Sequence, residues 1–123
     1  MVKFQYTLLG GRDIVMISRE RLRRILEEYR SDITAILGDD LELMVLFGSQ
    51  ARSESVEGSD IDVLCVMKRP FQYGDLINQT SRPTAQVSLK HDVVISRAFV
   101  TSDVYRSGRG PFLMNIHKEQ IAL

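Results

Sequence analysis

The chain has 123 residues, 44% hydrophobic and 26% charged, which is one globular domain with room for a single core and little for a separate substrate domain. Sixteen basic and sixteen acidic residues cancel, so no overall field favours nucleic acid or a membrane surface. No apolar run approaches ~18 residues, Met1 to Gly10 does not read as a signal peptide, and Cys65, the single cysteine, cannot form an internal disulfide, so a reducing, cytoplasmic setting is expected.

Residues 1–17 read as an N-terminal extension, with a short strand over Lys3 to Leu9 and a turn at Gly10-Gly11. Ser18 to Leu37 carries the clearest helical pattern. Ser18 can cap it, Glu20 suits the positive end of the dipole, and Leu22, Ile25, Leu26, Tyr29, Ile33, Ile36 and Leu37 repeat on one face. Gly38 stops it. Leu41 to Phe47 is a short apolar run of buried-strand length. Gly48 to Arg52 reads as a turn opening a short helix, and Ser53 to Ser59 as polar loop.

Asp60 to Met67 is rich in Ile and Val and reads as the next strand, ended by Pro70. Phe71 to Leu89 reads as helix broken near Pro83, which lacks a backbone donor. Lys90 to Ser96 reads as a third strand and Thr101 to Arg106 as a short helix. After the loop Ser107 to Gly110, Pro111 opens a last helix with Phe112, Leu113 and Ile116 on one side. The order predicts an α/β or α+β domain over 18–123, a small mixed sheet flanked by helices.

The chemistry concentrates between two of these elements. Gly48-Ser49 is followed after ten residues by Asp60-Ile61-Asp62. Strand side chains alternate faces, so the two carboxylates point the same way with Cα atoms about 6.6 Å apart. Two carboxylates that close repel unless a cation sits between them, and Mg²⁺ favours a few carboxylates together with water and substrate phosphates. A small-residue turn supplies backbone N–H groups to those phosphates. Alone, an Asp-x-Asp is more often a solvated pair at the mouth of a strand. The combined pattern arises by chance in a chain this long at a frequency on the order of 0.001.

Phe47-Gly48-Ser49-Gln50-Ala51-Arg52 with Ser59-Asp60-Ile61-Asp62-Val63 resembles the signature of the DNA polymerase β-like nucleotidyltransferase superfamily. The short length resembles its minimal nucleotidyltransferase (MNT) branch, and Pro111 to Glu119 is similar to that branch's closing helix, although Gln120 stands where the family often has Gly. The resemblance implies a polymerase β-like fold, a Gly48-Ser49 turn that holds the triphosphate of an NTP, ATP first among them, and Asp60 and Asp62 as Mg²⁺ ligands. It also implies a third carboxylate on a later strand, for which Asp92 is the candidate metal ligand and base. Arg52 is a candidate phosphate contact and equally a solvated helix residue. Many members of the branch are the antitoxin halves of HEPN–MNT pairs, some of which adenylylate the partner toxin. Two functions are therefore expected in competition: a Mg²⁺-dependent transferase moving a nucleoside monophosphate to a hydroxyl of a partner protein, or a non-catalytic module of the same fold that neutralises a HEPN-type partner by contact. Self-association of the chain is left open.

Arg106, Arg109 and Lys118 read first as surface charge. His91 and His117 are too scattered for a zinc site. Cys65, Met44, Met67 and Met114 read as packing residues.

Overall fold

The computed structural model describes residues 7–9, 12–14, 18–48 and 60–123. Strands β1 (Thr7–Leu9) and β2 (Arg12–Ile14) pair antiparallel as a two-stranded sheet of their own. Of the strand expected over Lys3 to Leu9, Thr7–Leu9 is seen and the rest lies outside the described residues, as does the diglycine; β2 was not expected.

Helix α1 (Arg19–Leu37) starts where the cap pattern puts it, with the Ser18 hydroxyl accepting the Arg21 N–H at 3.1 Å. Leu22, Ile25, Leu26, Tyr29, Ile33 and Leu37 are buried, while Ile36, read onto the same face, is 42% exposed. A single 3₁₀ turn over Gly38–Asp40 leads into β3 (Leu41–Phe47). The main sheet has the order β5-β4-β3-β6, from β4 (Ile61–Met67), β5 (Ile95–Thr101) and β6 (Ile121–Ala122). β3 lies antiparallel to β4 with Met44 opposite Cys65 and Phe47 opposite Asp62. β5 lies parallel to β4 with Ser96 beside Asp62. The sheet is mixed, as expected.

Both faces of β4 are covered, which is why it reads as a nearly continuous apolar run. On one side Ile61, Val63, Cys65 and Met67 pack with α1 and with α2 (Tyr73–His91). On the other, Leu64 and Val66 pack with Val45 and with Tyr105, Leu113 and Ile116, from α3 (Ser102–Ser107) and α4 (Pro111–Glu119). Each fully buried Leu or Ile contributes roughly 1.5–3 kcal/mol. Cys65 is buried on the α1–α2 side, and that burial pushes its thiol pKa up to about 12.

Two expectations are corrected. The helix after Phe71 does not break: α2 runs unbroken through Pro83. Packing holds it, with Leu76, Thr80, Pro83, Thr84 and Val87 buried along one face, and hydroxyls of the same stretch bond back to the helix, Thr80 to Leu76 at 2.7 Å, Ser81 to Ile77 at 2.6 Å and Thr84 to Thr80 at 2.6 Å. Arg97 on β5 adds a guanidinium donor to the Ile77 carbonyl at 2.8 Å. The third strand is Ile95–Thr101, not Lys90 to Ser96. Lys90 and His91 belong to the last turn of α2, where positive charge suits the dipole, and both pair with Glu28 of α1. The polar pair Ser96-Arg97 masked the strand because Arg97 reaches back to Thr80 Oγ1 at 2.7 Å instead of to solvent.

Candidate active site

β4 begins at Ile61, whose side chain is buried on the α1–α2 side and whose N–H donates to the Val94 carbonyl at 2.8 Å. Alternation turns its neighbours, Asp60 and Asp62, to the opposite face. Asp60 is exposed and Asp62 half-buried. Ser96, the register partner of Asp62 on β5, donates its hydroxyl to Asp60 Oδ2 at 3.0 Å. One residue of β5 is thus bonded to Asp60 and paired in register with Asp62.

On the other flank Phe47 lies opposite Asp62, and Gly48 follows it with φ +76°. A Cβ at Gly48 would lie 2.3 Å from Asp62 Oδ2, so only glycine lets this backbone lie directly against the carboxylate. The Gly48 N–H donates to Glu119 Oε1 at 3.0 Å. Phe112, half exposed near the start of α4, meets the Phe47 ring edge-on with centroids 5.7 Å apart. The site is therefore built on three strand ends and closed on one side by α4.

Of the residues singled out from the sequence, the fold brings Asp60, Asp62 and Gly48 together. Ser49 and Arg52 lie outside the described residues. Asp92 does not join them. It is the left-handed cap of α2 with φ +53°, exposed, its N–H given to the Leu89 and Ser88 carbonyls. Among the described residues no three His, Cys, Asp or Glu side chains converge. The expectation of Asp92 on a strand beside the pair fails because β5 starts three residues later, and Ser96 takes the place next to Asp62.

Ser96 and Glu119 were not singled out. A correct register for β5 finds Ser96; Glu119 shows no sequence signal beyond its place in the closing helix. Arg106 pairs weakly with Glu42 at 3.7 Å and Asp103 at 3.8 Å. His117 is held in the fold, its ring stacked on Tyr105 at 4.7 Å and its Nε2 2.7 Å from the Tyr105 carbonyl.

The donors fit a hard divalent cation. Two carboxylates, with a hydroxyl bonded to Asp60 and open to solvent on that side, are oxygen ligands that leave positions for water and phosphate. No thiol competes, since Cys65 lies on the opposite face of β4. A groove of about 710 Å³ lies elsewhere, along α1 and the C-terminal residues, lined by Arg19, Arg23, Arg30, Leu26, Leu46 and Leu123. It contains neither aspartate. Its arginines are interleaved with Glu20 and Glu27, and the paired aspartates that suit a hard cation lie outside it.

Comparison with known proteins bears on the same elements. The family described as "Nucleotidyltransferase domain" matches residues 19–99, from the start of α1 into β5. A "putative protein adenylyltransferase" of Methanocaldococcus jannaschii is 38% identical over 72 residues, which are 58% of this chain and 72% of that protein. Among solved structures, a "putative nucleotidyltransferase" from Sulfolobus solfataricus superimposes with a TM-score of 0.59 at 19% identity, over 83% of this chain and 80% of that one. A toxin–antitoxin crystallised with AMP-PNP superimposes with a TM-score of 0.55 at 14% identity, over 78% of this chain and 70% of that one. The two superpositions establish a shared fold.

Proposed function

This chain belongs to the nucleotidyltransferase domain family, and we propose that it transfers AMP from ATP, with Mg²⁺, to a hydroxyl group of a partner protein. The observation that carries the reading is the juxtaposition of Asp60 and Asp62 on one face with the Gly48 backbone against Asp62. A domain that only held a partner would have no use for facing carboxylates at the mouth of a glycine turn. Adenylyl as the transferred group, and protein as the acceptor, are supported by the description of the M. jannaschii relative. A toxin as the partner is supported by the toxin–antitoxin neighbour, which would make this chain an antitoxin-type transferase; a HEPN-type toxin is what the motif's resemblance to the MNT branch implies.

In this reading Asp60 and Asp62 hold the cation, and Ser96 orients Asp60 through its hydrogen bond. A divalent cation bound by these carboxylates would supply charge neutralisation for the phosphates. The Gly48-Ser49 motif is the phosphate site in this reading, and the Gly48 N–H itself is engaged by Glu119. The partner's hydroxyl oxygen forms a bond to the α-phosphorus, the bond to the pyrophosphate oxygen breaks, and the hydroxyl proton passes to water. The products are an AMP ester and pyrophosphate. Positioning of the two reactants is the main contribution of such a site.

The test is co-expression with the protein encoded beside it, followed by intact-mass measurement of that protein. A mass gain of one AMP that disappears with Asp60→Asn is the expected result. A stable, neutralised complex carrying no modification, unchanged by Asp60→Asn, would replace the enzyme with a contact-only module.

A further inference from the structure

We infer that Glu119 is a positioning residue of the nucleotide site: it fixes the Gly48 N–H, and through Gly48 the backbone surface on which the Asp62 carboxylate rests. The inference deepens the nucleotidyl-transfer reading and rests on it.

Glu119 is the last residue of α4, where the helix dipole favours a cation and disfavours a carboxylate. The two residues before it, His117 and Lys118, follow that preference; Glu119 does not. Across 71 residues of chain, its Oε1 accepts a charge-assisted hydrogen bond from the Gly48 N–H at 3.0 Å.

The elements around Glu119 hold it there. Leu113 and Ile116 anchor α4 in the core, and the Gln120 N–H closes on the Ile116 carbonyl at 2.8 Å. The chain then returns as β6 along β3, with Ala122 beside Val45 and the Leu123 N–H on the Met44 carbonyl at 2.9 Å. Glu119 is thus delivered to Gly48 by two packed elements instead of a loop. The glycine is held from both sides, by Glu119 at its N–H and by Asp62 over its Cα. Releasing the N–H lets the turn drift away from Asp62, and the metal and phosphate positions lose their common frame.

Three substitutions test this by calorimetry with Mg·ATP. Glu119→Gln keeps the reach and a carbonyl acceptor, and binds within about threefold of the parent. Glu119→Ala removes the acceptor and Glu119→Asp pulls it back by one methylene; both weaken Mg·ATP binding by about tenfold or more, a loss sized to a hydrogen bond to a charged group. A purely structural charge at this place would instead be rescued by Asp and not by Gln. Unchanged affinity in Ala and Asp overturns the inference. So does tighter binding, which would make Glu119 an internal anion competing with phosphate. Amide exchange at Gly48, followed by NMR in nucleotide-free protein, keeps the two readings apart. It is slow in the parent and in Glu119→Gln and fast in Glu119→Ala, whether or not ATP binds; equal exchange rates overturn the role of Glu119. Absence of Mg·ATP binding in the parent counts against the transferase reading alone.

Discussion

Gly48→Ala separates a backbone cost from a side-chain cost inside the site. An L-residue at φ +76° costs about 1–2 kcal/mol relative to glycine. The new methyl would also stand 2.3 Å from Asp62 Oδ2 and 3.2 Å from its Cγ, so the carboxylate must retreat by roughly 1 Å to reach ordinary contact. Pushing Asp62 off its rotamer adds about 0.5–1.5 kcal/mol. The total, about 1.5–3.5 kcal/mol, is within what a domain of ordinary stability survives. Gly108→Ala is the control. It has φ +61° but its nearest neighbour, His117 Cδ2, would be 3.7 Å away, so it carries the backbone cost alone. Urea denaturation should show both variants folded, with Gly48→Ala the less stable. Calorimetry with Mg·ATP should show Gly108→Ala unchanged and Gly48→Ala weakened by about tenfold or more. A folded Gly48→Ala that binds Mg·ATP like the parent would refute the claim that this backbone and Asp62 share one site.

Asp92→Asn, at an exposed helix cap, should leave Mg·ATP affinity within about twofold; a tenfold loss would return Asp92 to the site. Burial raises both the Cys65 thiol and the Tyr29 phenol to about 12, above their unfolded values of 9.0 and 10.0. The unfolded chain therefore releases these protons first as pH rises, so their contribution to stability is intact below about pH 9 and falls away toward pH 12. Urea midpoints measured across that range should decline, and less steeply in Cys65→Ala; a flat parent curve would contradict the burial argument. Tyr29→Phe removes a buried hydrogen bond of 2.8 Å to Thr84 and should cost about 1 kcal/mol, read by the same denaturation.

The parts of this fold that follow local rules were legible from sequence. α1 has a capping serine, a seven-residue apolar stripe and a stop glycine, and its bounds fall where those signals lie. The Asp60–Asp62 pair was legible because a period-2 pattern fixes which side chains share a face. What sequence misplaced depends on tertiary partners. β5 carries an arginine that looks solvent-facing until α2 supplies Thr80 and Ile77 as acceptors. Pro83 reads as a helix breaker until its burial alongside Leu76, Thr80, Thr84 and Val87 is known. Shifting the strand moved the position beside Asp62 from an acid to Ser96, and so changed the composition of the site. Phe112 was read onto the buried side with Leu113 and Ile116, yet it is half exposed against Phe47. The contact of Glu119 with Gly48 joins residues 71 positions apart, and no local pattern announces it.

The most direct measurement of the central claim is calorimetric titration of Mg·ATP into the parent chain and into Asp60→Asn with Asp62→Asn. The two substitutions remove the charge that would hold the cation while keeping side-chain volume. The account predicts binding in the parent that requires Mg²⁺ and is lost in the double variant, with the variant's denaturation midpoint no lower than the parent's because like-charge repulsion is relieved. Equal Mg·ATP affinity in the two proteins would contradict it.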